Sequence, residues 1–368
     1  MPGTPCAEPV RTEIFTAVAT LPADALALLE PTLFASPAWW DCVQTEAMPA
    51  GSTPCFLLCR IGGQPAALFV LCRAADGALG SLTTPYTCLY APALAPGISA
   101  EAQAAALIAL TRFCRRSAVT RLEALDPDAP STAALAAAAM RAGLCVLRFA
   151  HFGNWHEAVA GQDWSAYLAN RPGALRETIR RRLRHADRQA GAVLTVVDGP
   201  AGLEAGIAAY EAVYASSWKE PEPFPRFNAA LMRALAPLGM LRLGVWRIAG
   251  QPVAAQFWAV DHGRATVLKL AHDEAFKPLS PGTVLTALML RRLLEQDRVA
   301  AIDFGRGDDD YKQGWARARR QRIGLLLVNP WRPAGWPVLV RHALGRLAAR
   351  WRQAGGISLA GGAGPPGR

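Results

Sequence analysis

Short apolar runs broken by Gly-containing turns recur along the chain, and one arrangement of them occurs twice. Residues 60–66 read RIGGQPA and residues 247–253 read RIAGQPV. CFLLC precedes the first and LRLGVW the second; ALFVLCR and AAQFWAV follow. Turns at Asp76-Gly77 and His262-Gly263 then lead to third runs, ALGSLTT and ATVLKLA. The pattern predicts three strands in each copy. Gly63 and Gly250 supply the backbone conformations a tight hairpin needs. Pro65 and Pro252 sit at strand starts, where no ladder donor is lost. A helix over 99–117 and a strand over 119–125 follow in the first copy, and a helix over 281–297 and a strand over 299–304 in the second. The reading is two copies of one α+β unit, joined near residues 150–205, and not a solenoid.

The join contains ALRETIRRRLRHADRQAG. Leu175, Ile179, Leu183, Ala186 and Ala190 fall at helical spacing among arginines, and Gly191 is a natural stop. Two readings stay open. One is a helix packed by a narrow stripe with a wet outer face. In the other, some of Arg176, Arg180, Arg181, Arg182 and Arg184 meet phosphates of a cofactor, a tRNA or an acidic polymer.

A length of 368 residues implies two domains. With 52% hydrophobic and 18% charged residues, the chain packs a core and is not disordered. The net charge of +10 suits nucleotide cofactors, nucleic acid or an acidic membrane surface, although a GC-rich genome also gives many Arg over few Lys. No signal-peptide pattern opens the sequence and no apolar run is long enough to span a membrane, so a cytoplasmic location is expected. The eight cysteines lie in apolar segments without zinc-ligand spacing and read as reduced, buried thiols. No metal site is expected. The six histidines are scattered, and His151, His156 and His272 read as surface or packing residues.

The chemistry concentrates in the second copy. Ser280 is a helix N-cap candidate and Pro281 suits the first turn. Gly282 lets a ligand approach the backbone, so the N–H groups of Gly282, Thr283 and Val284 are candidates to hold an anion such as a pyrophosphate. The stretch IDFGRGDDDYKQGW, residues 302–315, follows. Ile302 and Phe304 alternate with Asp303, which should face away from them. Asp303 is a candidate general base, Tyr311 a candidate proton donor to a leaving thiolate, and Lys312 a partner for a loop acid or a phosphate. A solvated turn and helix cap is the alternative for Asp308, Asp309 and Asp310. Packing of the next helix is the alternative for Tyr311 and Trp315. The first copy has VTRLEALDPDAPS at this point; Glu123 aligns loosely with Asp303 but Gly-Arg-Gly and Tyr-Lys are missing. The first copy therefore reads as architecture without an active site.

LRETIRRRLRHADR (175–188), SSWK (216–219), LSPGTVL (279–285) and IDFGRGDDDYKQGW (302–315) together resemble the GNAT acyltransferase superfamily. The tandem arrangement with an Arg-rich link resembles its FemAB-like branch, and more narrowly the CelD/BcsL-type acetyltransferases of cellulose and exopolysaccharide production. The resemblance covers about 165 to 320. It implies tandem GNAT-like domains, each a mixed, mostly antiparallel twisted sheet flanked by helices. Residues 1–150 would be a degenerate GNAT-like domain, 151–205 a connecting segment, 206–329 the catalytic domain, and 330–368 a basic helix and tail. It implies acyl transfer, from acetyl-CoA or another acyl-CoA, to an amine or hydroxyl of an envelope- or exopolysaccharide-related acceptor, with no metal. Ser280, Gly282, Thr283 and Val284 would hold the cofactor, and Trp218, Lys219, Arg306 and Asp308 the acceptor. Asp303, Tyr311 and Lys312 would be catalytic. An aminoacyltransferase drawing on charged tRNA and a non-catalytic binding module are the alternatives.

After residue 329, Trp336, Val340, Leu344, Leu347 and Trp351 form one face beside Arg341, Arg346, Arg350 and Arg352. Such a helix either rests on an acidic membrane surface or docks on the protein's own body. Residues 355–368, rich in Gly and Pro, are expected to be disordered.

Overall fold

The computed structural model describes residues 9–29 and 32–355. Two units with the same order of elements follow one another. The first contains β1 (Val10–Phe15), α1 (Ala23–Leu26), α2 (Pro37–Glu46), β2 (Thr53–Ile61), β3 (Gln64–Arg73), β4 (Leu79–Ser81), the short β5 (Ala93–Leu94), α3 (Ala100–Phe113), β6 (Val119–Leu125), α4 (Pro130–Arg141) and β7 (Cys145–Ala158). Helices α5 (Trp164–Ala169) and α6 (Gly173–Ala186) lead to the second. That unit contains β8 (Val193–Val197), α7 (Leu203–Ala215), α8 (Phe227–Leu235), β9 (Leu241–Ile248), β10 (Gln251–Asp261), β11 (Arg264–His272), α9 (Pro281–Glu295), β12 (Ala301–Asp303), α10 (Asp310–Trp315) and β13 (Ala318–Val328). Helix α11 (Trp336–Gly355) closes the described chain.

The repeat seen in the sequence is a repeat in register. The β2–β3 hairpin pairs Ile61 with Gln64, and the β9–β10 hairpin pairs Ile248 with Gln251. Gly63 and Gly250 both sit at φ +83°, a conformation that costs glycine little. Both hairpins carry a bulge one step beyond the proline: Ala66 is skipped in one ladder and Val253 in the other.

All these strands lie in one sheet, in the order β1-β2-β3-β4-β6-β13-β7-β12-β11-β10-β9-β8 with β5 beside β3. The pairs β4–β6 and β11–β12 are parallel and the others antiparallel. At the centre the units exchange their last strands. β7 of the first unit pairs with β12 of the second, and β13 of the second pairs with β6 of the first. The domain limits expected at 150 and 205 fall inside β7 and α7, and β8, expected in the connecting segment, is an edge strand of the second unit. The cause is the exchange: β7 is too long and too central to belong to one unit.

Polar side chains fasten the crossing. Asn154 on β7 donates from Nδ2 to Asp303 Oδ1 on β12 at 2.7 Å and to the Gly305 carbonyl at 2.7 Å. Arg320 on β13 donates to Asn154 Oδ1 at 2.6 Å and to Asp303 Oδ2 at 2.5 Å. Glu157, further along β7, receives Arg171 at 2.5 Å and Arg317 at 2.9 Å, and Arg171 also donates to the Trp315 carbonyl at 2.5 Å.

One apolar core joins the first unit to α7 and α8, with Trp39 edge-on to Phe227 at 5.6 Å. A second lies on the other face of the second unit, beneath α5, α6 and α9. Ile179 and Ala186 of α6 are buried there, with Leu175 and Leu183 packed against it. Helix α6 ends at Ala186, so Ala190 lies beyond it and is exposed.

Replacing Arg320 with Met leaves the Asp303 carboxylate buried without its cation. The expected cost is about 3 kcal/mol, read as a lowered midpoint in urea unfolding. The double variant Arg320→Met/Asp303→Asn should lose less than the sum of the singles.

Candidate active site

Strands β11 and β12 pair only over Arg264–Thr266 and Ala301–Asp303. Beyond Thr266 they part, and the chain leaves β12 through Gly305. A Cβ at Gly305 would lie 2.6 Å from the Val267 carbonyl oxygen, and its φ is +67°. Glycine is thus required where the two strands diverge. Opposite this point β11 bulges: Val267 pairs with Trp258 and Lys269 with Phe257, so Leu268 has no cross-strand partner in β10.

Two clefts flank the opening. One, of about 630 Å³, lies under the N-terminus of α9. α6 contributes Leu175, β11 Leu270 and His272, α9 Gly282, Thr283 and Thr286, and α10 Tyr311 and Trp315. The other, of about 350 Å³, is polar and takes Tyr86 and Cys88 from the first unit, with Lys219, Lys269, Arg306, Asp309 and Lys312 from the second. Trp218, Leu270 and Tyr311 line both clefts.

The N-terminus of α9 is open, but not as the sequence suggests. Ser280 adopts φ +54° and makes no side-chain cap bond. The Val284 amide donates to the Ser280 carbonyl at 3.1 Å, and the Val284 side chain is buried, so Val284 offers nothing to a ligand. Proline at 281 has no amide hydrogen. That leaves the Gly282 and Thr283 amides, which have no backbone acceptor among the described residues. They face the cleft from a helix end that favours anions. A Cβ on Gly282 would stand 3.4 Å from the His272 ring, so bare glycine keeps this wall open. Arg182 of α6 donates to the Pro278 carbonyl at 2.8 Å and fixes the approach to α9.

Asp303 faces away from Ile302 and Phe304, which both pack in the core beneath α9. It does not line either cleft. Its Oδ1 also accepts the Gly305 amide at 2.8 Å, so both oxygens are engaged. Asp303 positions the strand end; the free general base expected there is absent because strand exchange brings Asn154 and Arg320 onto it. Asp308 is likewise turned away from both clefts. It accepts Trp155 at 2.8 Å and Arg319 at 2.6 Å, and the Arg319 hydrogen bond holds its carboxyl below the usual range. Lys312 is buried and clamps the loop, donating to the Arg306 carbonyl at 2.8 Å and pairing with Asp309 at 2.8 Å.

Tyr311 is half-exposed where the clefts meet. Burial, then the Asp309 charge, pushes its phenol upward, so it stays protonated. Trp218 packs against His272 with the rings tilted by 37° and their centroids 4.4 Å apart. His272 thus packs against Trp218, in keeping with the packing expected of it, and also lines the larger cleft. Lys269 pairs with Glu222 at 2.5 Å, and Tyr86 and Tyr214 donate to the same carboxylate at 2.8 and 2.7 Å. Burial pushes the Glu222 carboxyl up, but Lys269 and the tyrosines outweigh it and hold it below the usual range. Arg306 reaches His151 at 3.1 Å and lies over the Phe152 ring. The Cys88 thiol is pushed up to about 12 by burial and the Asp303 charge, which makes it a neutral wall. Tyr86, Cys88, Glu222 and Lys269 carried no motif; the fold alone assembles them.

Residues 173–313 match the family model of the acetyltransferase (GNAT) domain. This segment therefore resembles a GNAT domain. The tandem GNAT arrangement is shared with solved structures. FemX is 10% identical with a TM-score of 0.54, over 83% of this chain and 95% of FemX. A tandem GNAT protein from the clavulanic acid biosynthesis pathway is 13% identical with a TM-score of 0.50, over 88% of this chain and 100% of that one. At such identities the likeness is one of fold. No curated protein sequence matches the chain. The GNAT domain match begins at α6 and ends in α10, so it spans both walls of the larger cleft but neither exchanged strand.

Gly305→Ala combines a positive φ with a backbone clash and should cost about 1–3 kcal/mol. A fall in melting temperature larger than that of Gly199→Ala, an open surface position, would show it.

Proposed function

We propose that the protein transfers an acyl group from acyl-CoA to an amine or hydroxyl of an acceptor. One observation carries the reading. The strand opening joins a cleft beneath free helix amides to a polar cleft, and a protonated tyrosine stands at the junction. The residues fit an acyl-CoA. Gly282 and Thr283 offer amides to a pyrophosphate, and Gly282 lacks the side chain that would block it. The larger cleft has room for part of such a molecule.

The roles follow from placement. The β11 bulge frees backbone beside the opening, where an N–H polarises a thioester carbonyl. The acceptor's nitrogen or oxygen attacks that carbon from the polar cleft. Asp309, the carboxylate lining this cleft, is held by Lys312 through Oδ2 and takes the acceptor's proton on Oδ1, in place of Asp303. The carbon–sulfur bond breaks, and Tyr311 gives its proton to the departing thiolate. Trp218 walls both clefts and aligns the two partners. An envelope- or exopolysaccharide-related acceptor is consistent with a polar cleft of saccharide size.

Acetyl-CoA should raise the melting temperature. Gly282→Val should leave the circular dichroism unchanged and weaken acetyl-CoA binding at least about tenfold by calorimetry, or roughly 1.4 kcal/mol. Tyr311→Phe should lower kcat about a hundredfold with little change in donor affinity. No stabilisation by acetyl-CoA, together with tRNA retention lost above roughly 0.2 M salt, would assign the exposed Arg180, Arg181 and Arg184 of α6 to an aminoacyl-tRNA donor. A response to neither would leave a binding module.

Helix α11 supports peripheral contact with an anionic membrane surface. Among its described side chains Trp336, Val340 and Leu344 are exposed, and Trp331 beside it is 79% exposed. Each of those three helix side chains is more than half exposed; the side chains of Leu347 and Trp351, and residues 356–368, lie outside the described residues. No acidic residue follows Asp310, while Arg332, Arg341, Arg346, Arg350 and Arg352 do. No described helix is long and apolar enough to cross a membrane. The protein should float with phosphatidylglycerol vesicles and not with phosphatidylcholine ones. Trp336→Glu/Leu344→Glu should abolish the flotation.

A further inference from the structure

The chain contains four lysines, Lys219, Lys269, Lys277 and Lys312, against thirty-five arginines. All four line the two clefts: Lys219, Lys269 and Lys312 the polar one, and Lys277 the larger one. A protein that elsewhere uses arginine for positive charge has placed its lysines only here. An ammonium is a compact point charge; a guanidinium is a planar fork.

The lysines of the polar cleft are not equivalent. Lys269 is committed to Glu222 at 2.5 Å. Lys312 is committed to Asp309 and to two backbone carbonyls. Lys219 has no carboxylate within ion-pair distance among the described residues; its ammonium lies 5.5 Å over the Trp218 ring. Burial, then the Lys269 charge, pushes it below its ordinary value. Arg306 adds a fourth cation whose polar partner is a histidine ring. The cleft therefore holds more positive than negative charge, and one of its ammonium groups is partly desolvated without a counterion. Such a group is stabilised when an anion arrives.

The donor's phosphates do not supply that anion. Their amides lie at α9, in the other cleft, beyond Trp218, Leu270 and Tyr311. We infer that the polar cleft contains a subsite for an anionic group on the acceptor, a carboxylate or a phosphate, received by Lys219 and flanked by Lys269 and Arg306. This rests on the acyl-transfer reading and narrows its acceptor to molecules that carry a nucleophile and an anion together. A volume of about 350 Å³ suits an amino acid or a sugar phosphate.

Paired probes test it on the full chain: glucosamine against glucosamine 6-phosphate, and an α-amino acid against its methyl ester. Calorimetry with and without acetyl-CoA reads binding, and thiol release reads turnover. The charged member of at least one pair should bind about tenfold or more tightly, with the advantage in KM; which pair responds separates phosphate from carboxylate. Lys219→Met should erase the advantage, and Lys219→Arg should keep most of it, with both variants melting near the parent. Equal binding within both pairs, no detectable binding of any charged member, or an advantage that survives Lys219→Met overturns the inference. The acyl-CoA reading fails separately, through absent acetyl-CoA binding, and the calorimetric contrast between pair members decides the subsite in either event.

Discussion

Everything at the centre of this molecule depends on two strands crossing between its halves. β7 runs into the second unit and β13 returns into the first, so neither unit closes its sheet alone. The crossing buries charge. Asp303, Asn154 and Arg320 meet across β12, β7 and β13, and Arg171 and Arg317 meet Glu157 further along β7. Buried ions tolerate such an environment only when every partner is present. The ion networks therefore hold the units in one register, and the site beside them inherits that rigidity.

The site uses this frame directly. β12 must end at Asp303, because its carboxylate is held by both exchanged strands and by the Gly305 amide. Once β12 stops, β11 continues alone with a bulge at Leu268, and the gap between them joins the two clefts. The first unit also supplies a wall, through Tyr86 and Cys88. A unit that looked like bare architecture thus forms one wall of the polar cleft.

Charge is divided between the clefts by means, not by sign. The end of α9 presents backbone amides, which are fixed and uncharged. The polar cleft presents ammonium groups, whose charge depends on burial and on neighbours. The two clefts thus present two physically different kinds of positive potential, with Tyr311 lining both.

The sequence by itself determined the repeat, the hairpins, the helix α9 and the strand that follows it, because turn chemistry and apolar periodicity are local. Gly63 and Gly250 occupy the expected turns, and α3 and β6 fall within the expected ranges. It also brought Gly282, Thr283, Tyr311, Trp218, Lys219 and Arg306 forward as candidates, and all of them line a cleft. It did not show that Asp303 and Asp308 are consumed by arginines, that Val284 closes the first turn of α9, or that His272, Glu222 and Lys269 join the site. Except for the Val284 bond, those outcomes rest on contacts between different elements, and Asp303 is fixed in part by Asn154, 149 positions away. Whether a charged side chain is a free reagent or a structural ion depends on which partners folding delivers to it, and only the tertiary structure decides that.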